Sequence, residues 1–385
     1  MTSSPAPGTP GWLALRNDQA ALSLLLDEGP LTRNRIGELT GLSKPTAAQI
    51  VTRLEEAGFI HPAGELSAGR GPNAVTYDVR LDRSLGVAID VDETVLRATV
   101  VDARGTERPV ATIPIDAAHP RSAEGDVRRA IDAACRAADV DAGAVVEIVI
   151  GVQAANDPAA DRLNFTDTLD GWPMQNARGE LEAGLGIAVA LENDVNLAAI
   201  AERAEGAGAD APGFALLWLG EGLGLSIDLD GTILHGATGG AGEIGYLPAP
   251  RTAMAIDPDA EDLQELVGGS AVARSATSAV GSPLDYAGAL AALASAPDRI
   301  VPDLAARIAL ALTPVIAVLD PSLVILGGPT GVAGGAALAD AVSAALRASS
   351  GWDPAVRTTG APADAVLLGA RHVLVSRLRG RLLPE

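Results

Sequence analysis

The carboxylate of Asp194 is the side chain whose type and setting could most directly do chemistry. It lies in LENDVNLAAIAE, residues 191–202, where a predicted strand gives way to an alanine-rich helix. A carboxylate at that junction can take a proton from a substrate hydroxyl, or it can bind a ligand without chemistry. It can also cap the helix, as can Asn193, a role that contributes about 1 kcal/mol to helix stability. The segment alone leaves all three interpretations open.

Cysteine and histidine are too few and too scattered for disulfide or metal chemistry. Cys135 stands alone, and the four histidines show no ligand spacing. We therefore expect no internal disulfide and no zinc. The longest apolar stretch, residues 308–319, is broken by Pro314 and falls short of the roughly 20 residues of a membrane span. The start of the chain has no signal-peptide pattern, so we expect a cytoplasmic protein without a membrane partner.

Charge is distributed unevenly along the chain. The net charge of the 385 residues is −21, which by itself argues against a nucleic-acid partner. Residues 1–80, however, hold 7 basic and 8 acidic residues, whereas residues 81–385 hold 21 and 41. The acidic excess therefore belongs to the second part, and only the first part is suited to contact DNA.

The first part follows the pattern of a winged helix-turn-helix. After a leader predicted to be disordered over residues 1–15, NDQAALSLLLDEG predicts a helix that opens a domain over residues 16–80. Thr32 then caps a second helix with Ile36 and Leu39 on its buried face, and a turn around Gly41 precedes a third helix. GFIHPAGELSAGRGPNAVTYDVR predicts a strand, a glycine-rich loop and a second strand, which form the wing.

Ser43 is predicted to cap the third helix, whose exposed start would reach base edges in the major groove. The predicted DNA contacts at that start are Lys44, Pro45, Thr46 and Gln49. Arg53 lies further along the same helix, and Arg70 lies on the wing. At the start of the second helix, Arg33 and Asn34 are predicted to contact phosphates. Winged helices also serve as protein–protein modules, and this alternative stays open. Tight binding of double-stranded DNA would need a dimer on an operator with two-fold symmetry.

Residues 81–385 are predicted to form an α/β domain of two similar lobes. LGVAIDVDETVLRATVVDARGTERP and FALLWLGEGLGLSIDLDGTILHG each predict a β-hairpin that opens an α/β stretch. We place the lobes at about 81–195 and 196–385, with a cleft between them. Trp172 falls in a loop near this cleft, although a lone tryptophan is more often a core residue.

The chain resembles the ROK family (repressors, open reading frames and sugar kinases) from about Asn17 onward. The resemblance rests on PLTRNRIGELTGLSKPT, GWPMQNARGELEAGLGIAVALENDVNLAAIAE, GEGLG, GGAGEIGY and DPSLVILGG. It implies an actin-like, hexokinase-like pair of lobes behind the winged helix. It also implies a homodimer or a larger assembly, such as a tetramer, that binds sugars or sugar phosphates.

The motifs that hold ATP phosphates in the family's kinases are altered here. Their Asp-x-Gly-Gly-Thr turn corresponds to residues 90–94, where Asp92 and Glu93 replace both glycines. Their Gly-Thr-Gly-x-Gly turn corresponds to residues 220–224, where Glu221 replaces the threonine. Each added carboxylate near a phosphate costs about 1–4 kcal/mol at 4 Å. Because of these departures from the family pattern, we expect the protein not to bind ATP, and we assign no catalytic residues.

The sugar-binding motifs are kept only in part. Family members have Gly-Glu-x-Gly-His, whose Glu and His touch sugar hydroxyls, and here Tyr246 replaces the histidine. The cysteine-rich zinc loop and a Gly-x-Pro-Gly turn of the family are absent from this sequence. The resemblance implies a ligand site made of Asn193, Asp194, Glu243, Tyr246 and either Gln264 or its neighbour Glu265, between which the alignment does not decide.

These observations favour a ROK-type transcriptional regulator, a repressor, that senses a carbohydrate effector. Two alternatives stay open: a regulator without an effector, which uses the lobes only to dimerise, and a sugar kinase with an added winged helix.

Overall fold

The computed structural model describes residues 8–66, 73–116, 120–166, 168–361 and 364–382. The first unit consists of three helices and a small antiparallel sheet of strand order β1-β3-β2. Its elements are α1 (Pro10–Glu28), β1 (Leu31–Thr32), α2 (Arg33–Thr40), α3 (Lys44–Glu56), β2 (Ile60–Leu66) and β3 (Ala74–Val79).

The local signals of the helix-turn-helix act as predicted. The side chains of Thr32 and Ser43 cap α2 and α3 by accepting a hydrogen bond from the backbone N–H of the third residue of each helix. Gly41 ends α2 in the left-handed conformation, with φ at 69°. The predicted core residue Ile36 is fully buried, but Leu39 was predicted wrongly and is 39% exposed, because it lies on the outer side of the short helix α2.

The prediction of a disordered leader over residues 1–15 is corrected for residues 10–15. Helix α1 begins at Pro10, because the Thr9 side chain accepts a hydrogen bond from the N–H of Trp12 and a proline fits the first turn of a helix. Residues 1–7 lie outside the described part of the chain.

The first lobe has a five-stranded sheet of order β10-β7-β4-β5-β6. Strands β4, β7 and β10 run parallel, and β5 and β6 continue the sheet antiparallel. The elements are β4 (Leu85–Val91), β5 (Val95–Val101), β6 (Ala111–Pro114), α4 (Ala123–Ala138), β7 (Val145–Val152), β8 (Ala155–Asp157), β9 (Arg162–Asn164), α5 (Ala177–Leu185), β10 (Ala188–Asn193) and α6 (Asp194–Glu205). Trp172 belongs to the core of this lobe, and its indole N–H donates to Asp126.

The second lobe repeats this plan, which confirms the prediction of two similar lobes. Its sheet order is β13-β12-β11-β14-β15, with β11, β14 and β15 parallel and β12 and β13 antiparallel. The elements are β11 (Gly213–Leu219), β12 (Leu223–Leu229), β13 (Thr232–Ile233), α7 (Leu263–Val267), α8 (Gly269–Val280), α9 (Tyr286–Ser295), α10 (Pro297–Leu319), β14 (Leu323–Gly327), α11 (Gly328–Ser350), which is kinked at Gly335, and β15 (Ala355–Thr358).

Helix α10 is long and apolar enough to cross a membrane by length and composition, and it is the one such helix among the described residues. It packs against α7, α8, α9 and α11, and most of its apolar window is buried inside the lobe. Its surroundings are those of a core helix.

The last helix, α12 (Ala365–Leu382), corrects the predicted division of the lobes at residues 195 and 196. It packs on α6, β4 and β7 and so belongs with the first sheet. A methyl group at Gly369 would lie 1.9 Å from the carbonyl oxygen of Leu197 in α6, so the two helices touch backbone to backbone. Arg377 and Arg381 of α12 also pair with Glu147, a buried carboxylate of β7.

Candidate functional site

Helix α3 presents its N-terminal turn to solvent. Lys44, Pro45 and Gln49 are exposed, and Asn34 is exposed at the start of α2. Thr46 is half-buried, and its hydroxyl lies 2.8 Å from that of Ser43, within the helix cap. The start of α3 therefore offers an ammonium, an amide and an apolar ring to a partner.

Two predicted DNA contacts, Arg33 and Arg53, are exposed but already have partners within the winged helix. Arg53 forms a bidentate ion pair with Asp18 of α1, with 2.6 Å between Nη2 and Oδ1. Arg33 donates a hydrogen bond to the hydroxyl of Tyr77, and its guanidinium lies 5.0 Å from the centre of that ring. Both arginines fix the packing of the winged helix. Arg70 lies outside the described residues.

The second candidate region is the cleft at the start of α6. Asn193 caps this helix by accepting a hydrogen bond from the N–H of Asn196 at 3.1 Å, and its amide donates to the carbonyl of Ala154 at 3.2 Å. Asn193 is therefore the helix cap, and both the oxygen and the nitrogen of its side chain form hydrogen bonds within the protein. Asp194 is half-buried, and its carboxylate accepts a hydrogen bond from the N–H of Val195.

Asp90 and Glu243, from distant parts of the sequence, both act on the carboxylate of Asp194 here. Burial, together with the negative charges of Asp90 and Glu243, raises the pKa of Asp194 to about 7. Burial likewise raises the pKa of Asp90 to about 6, although Arg97 opposes this from 3.0 Å, and the charges of Asp92 and Asp364 add to it. The pKa of Glu243 is also raised by burial. Near neutral pH the cleft therefore holds a carboxyl group that can both donate and accept a proton.

The two lobes are bridged beside these carboxylates. Glu192, at the end of β10, accepts a hydrogen bond from the amide of Asn196 and lies 2.9 Å from Nε2 of His235, which follows β13. The hydrogen bond to Glu192 raises the pKa of His235. Asn196 also accepts a hydrogen bond from the buried hydroxyl of Ser226 in β12. The lobes therefore contact each other through polar groups that sequence analysis missed.

The Gln264 side chain is used in a structural contact. Its carbonyl oxygen accepts a hydrogen bond from the N–H of Leu223 at 2.6 Å, and its amide donates to the carbonyl of Glu221 at 2.8 Å. Gln264 therefore closes the glycine turn of residues 220–224, and this explains its presence without a ligand. A ligand contact at this position stays a prediction, and it would have to share these two groups with the turn.

Tyr246 is 62% exposed and forms an aromatic pair with Phe165, with ring centroids 5.2 Å apart. Phe165 is itself half exposed and has a positive φ of 53°, which is rare for a bulky residue. The sequence analysis missed Phe165, and the signal for it was weak: an apolar residue in a polar loop after β9. The pair gives the protein an exposed aromatic surface on this face.

Residues 90–94 and 220–224, which were aligned with the family's phosphate-binding turns, connect β4 to β5 and β11 to β12. The carboxylate of Asp92 accepts hydrogen bonds from the N–H and the hydroxyl of Thr94, and Glu93 and Glu221 are exposed. Across the described ranges, no group of three His, Cys, Asp or Glu residues has the arrangement of a metal site.

A continuous hydrophobic cluster joins the cleft to the winged helix. It includes Leu22 and Leu25 of α1, Leu378 and Leu382 of α12, and Leu197 of α6. Two arginines reinforce this contact from the side of the lobes. Arg379 of α12 pairs with Asp27 of α1 at 2.8 Å, and Arg104, which follows β5, binds Asp78 and the last carbonyls of α1.

Comparison with known proteins agrees with this architecture. A model of the ROK family matches residues 86–374, and a model of winged helix-turn-helix DNA-binding domains matches residues 15–61. A solved ROK family transcriptional regulator, a homolog of the E. coli MLC protein, aligns over 96% of this chain and 99% of its own, with a TM-score of 0.69 and 19% identity. A ROK hexokinase from Thermus thermophilus aligns over 77% of this chain and 99% of its own, with a TM-score of 0.60 and 27% identity.

The relatives include both repressors and kinases. The xylose repressor of Bacillus subtilis is 21% identical over 233 residues, 60% of each chain. A glucokinase of Halalkalibacterium halodurans is 42% identical over 77 residues, 20% of this chain and 23% of its own. The chain spans less than two thirds of the length of either relative. With three quarters of its residues matched by the family model, the chain belongs to the ROK family and carries a winged helix-turn-helix ahead of its ROK domain.

Proposed function

We propose that this protein is a cytoplasmic transcriptional repressor that binds a two-fold symmetric operator as a homodimer or tetramer and senses a sugar or a related polyhydroxyl ligand. The observation that carries the proposal is a contrast within one chain. The start of α3 keeps polar side chains exposed for DNA, whereas both phosphate turns carry carboxylates. The likeness to a ROK transcriptional regulator and to a xylose repressor supports the same conclusion.

The ligand fits the cleft by its hydroxyl groups. Carboxylates such as Asp194 and Glu243 accept hydrogen bonds from hydroxyls, and a carboxyl with a pKa near 7 can also donate one. A phosphate group would instead meet Asp92, Glu93 and Glu221, each of which repels it. A neutral polyhydroxyl compound is therefore the ligand class that this region favours.

The signal would pass along α12. The residue before this helix, Asp364, influences Asp90 of the cleft, and the end of the helix packs against α1, so a ligand that changes lobe closure would shift the winged helix. In a dimer, such a shift changes the spacing of the two recognition helices and hence the affinity for the operator.

Two other functions have support of their own. An effector-independent regulator is favoured by the internal hydrogen bonds of Asn193 and Gln264, two of the five predicted ligand contacts. A sugar kinase is favoured by the hexokinase and glucokinase similarities and by Asp194, whose raised pKa suits a general base.

DNA binding is tested first, with fluorescently labelled DNA from upstream of the protein's own gene. We expect the protein to bind this DNA at low salt and to protect a site with two-fold symmetry in a footprinting experiment. Failure to bind this DNA at about 50 mM salt, where phosphate contacts are strong, would contradict the proposal.

The ligand is tested by thermal unfolding in the presence of neutral sugars, amino sugars, sugar phosphates or ATP with Mg²⁺. A ligand at 100 times its Kd stabilises the folded protein by about 2.7 kcal/mol. Stabilisation by a neutral sugar that is lost in Asp194→Ala supports sensing. No stabilisation by any neutral sugar or amino sugar supports the effector-independent alternative, and phosphorylation of a sugar by ATP supports the kinase.

A further inference from the structure

A polar cavity lies in the second lobe, lined by none of the cleft carboxylates described above. It measures about 380 Å³, opens to solvent, and is walled by α8, α10 and the turn that holds Asp257. This volume is in the range of small-molecule pockets in proteins. The residues that line it include Arg274, Ser275, Arg299, Asp303 and Arg307.

The cavity gathers basic side chains in an acidic lobe. Between residues 213 and 358 the sequence has 6 arginines, no lysine and 15 acidic residues. Three of those arginines, at positions 274, 299 and 307, line this one cavity, against two acids, Asp257 and Asp303. The cavity is therefore a local positive region in a negative surface, which attracts anions.

The arginines are held in different ways. Arg307 is buried and pairs with Asp257 and Asp303, each at 2.9 Å, and Arg274 pairs with Asp257 at 2.9 Å. The hydrogen bond from Arg307 lowers the pKa of Asp257, so this carboxylate is ionised. Arg299 is exposed, and no acidic side chain within the described ranges pairs with it. One positive charge of the cavity is thus left without a counterion.

Ser275 supplies a second, independent observation. It lines the cavity and is 6% exposed, and its buried hydroxyl has no hydrogen-bond partner in the part of the chain that the structure describes. A buried polar group without a partner costs about 1–3 kcal/mol, so such groups are rare in folded proteins. An acceptor oxygen of a bound ligand would satisfy it.

We propose that this cavity binds a small organic molecule with a phosphate group, which Arg299, Arg274 and Ser275 hold by its oxygens. Arginine suits this role because its planar guanidinium donates two hydrogen bonds to one oxyanion. The free volume leaves room for an organic part beyond the phosphate. The proposal does not depend on the proposed function, since neither α3 nor Asp194 takes part.

The arginines also connect the cavity to the cleft. Arg274 donates to the carbonyl of Glu265 at 2.8 Å, and Arg307 donates to that of Leu266 at 3.2 Å. These carbonyls belong to α7, which also carries Gln264, the residue that closes the turn at 220–224. A molecule bound in the cavity would therefore be connected to the turn at residues 220–224 through the short helix α7.

The test is calorimetric titration of the full chain with glucose 6-phosphate, inorganic phosphate and glucose at constant ionic strength. We expect wild type to bind both phosphate-containing probes, and Arg299→Gln to bind them at least about tenfold more weakly. Arg347→Gln is the matched control: it removes the same charge from an exposed site in the same lobe, outside the cavity, and should bind like wild type.

Asp194→Ala and Ser275→Ala separate this cavity from the cleft and from folding defects. Asp194→Ala should leave inorganic phosphate binding unchanged, and Ser275→Ala should weaken it several-fold without lowering the thermal unfolding midpoint. Equal phosphate affinity in wild type and Arg299→Gln, or no binding by wild type at millimolar phosphate, would overturn the proposal. Loss of phosphate binding in Asp194→Ala would also overturn it, by placing the anion in the cleft.

Discussion

Helix α3 presents its polar side chains to solvent, whereas the polar side chains around Asp194 are largely bound to other parts of the chain. Lys44 and Gln49 are exposed at the start of α3. In the cleft, by contrast, the amides of Asn193, Asn196 and Gln264 all have partners within the protein. The start of α3 thus leaves polar groups in contact with solvent, whereas those around Asp194 mainly hold the two lobes together. A ligand in the cleft would have to use carboxylates that do not hold the lobes together, Asp194 and Glu243.

The largest effect is expected from disrupting the contact between α12 and α6, the helix that carries Asp194. Gly369→Ala places a methyl group 1.9 Å from the carbonyl oxygen of Leu197, so α12 and α6 must move apart. We expect a loss of about 3 kcal/mol or more in the free energy of unfolding, measured by urea denaturation. Gly380→Ala, in the same helix but with nothing within 4 Å of the new methyl group, is the control. It should leave stability unchanged or raise it by up to about 1 kcal/mol. Equal effects of the two substitutions would show that α6 and α12 are not in close contact.

The second largest effect is expected at the start of α3. Lys44→Gln removes the only ammonium at the start of α3 and should weaken operator binding by about 1–3 kcal/mol, measured by fluorescence anisotropy. Arg16→Gln removes one charge from the exposed surface of α1 and serves as the control. It should change the affinity far less. If both substitutions weaken binding equally, α3 is not the recognition helix.

A pH-dependent stability difference is expected from the cleft. The pKa of Asp194 is raised from 3.8 to about 7 in the folded protein, so folding favours its protonated form. Its contribution to stability is therefore fully present below pH 4 and is lost as pH rises towards 7 and above. Asp194→Asn removes this loss and should be more stable than wild type at pH 8 by about 1–2 kcal/mol. At pH 4 the difference should vanish. A difference that is constant from pH 4 to pH 8 would contradict a raised pKa at this residue.

The smallest effect concerns Arg53, which was predicted to contact DNA but pairs with Asp18. A partly exposed ion pair contributes about 0.2–1 kcal/mol, so Arg53→Gln should lower stability by no more than about 1 kcal/mol. Its effect on operator affinity should be smaller than that of Lys44→Gln. The double variant with Asp18→Asn should be no less stable than Arg53→Gln alone. A loss of DNA affinity as large as that of Lys44→Gln would show that Arg53 leaves Asp18 to bind DNA.

The sequence was most informative where a signal and its effect lie within a few residues. Thr32 and Ser43 cap the helices that follow them, and AVTYDV forms the strand it predicts. The two hairpins were also recognisable, because alternating apolar residues around a tight turn fold locally. The start of α1 was placed too late, because the cap at Thr9 lies in a stretch whose composition suggested disorder.

The helix-turn-helix, the two like lobes and the family could be read from the amino-acid sequence, because each depends on local patterns or on motifs kept in order along the chain. The contacts of the cleft residues could not, because they depend on the folded chain. Asp90, Asp194 and Glu243 are far apart in sequence, and their pKa values rise because folding buries them together. Likewise, Asn193 and not Asp194 caps α6, and Gln264 closes a turn some forty residues earlier in the chain, because folding brings them to those hydrogen-bond partners. The return of α12 to the first lobe has the same physical reason: its apolar face is buried against α6, β4 and β7, and no pattern within the helix names those partners.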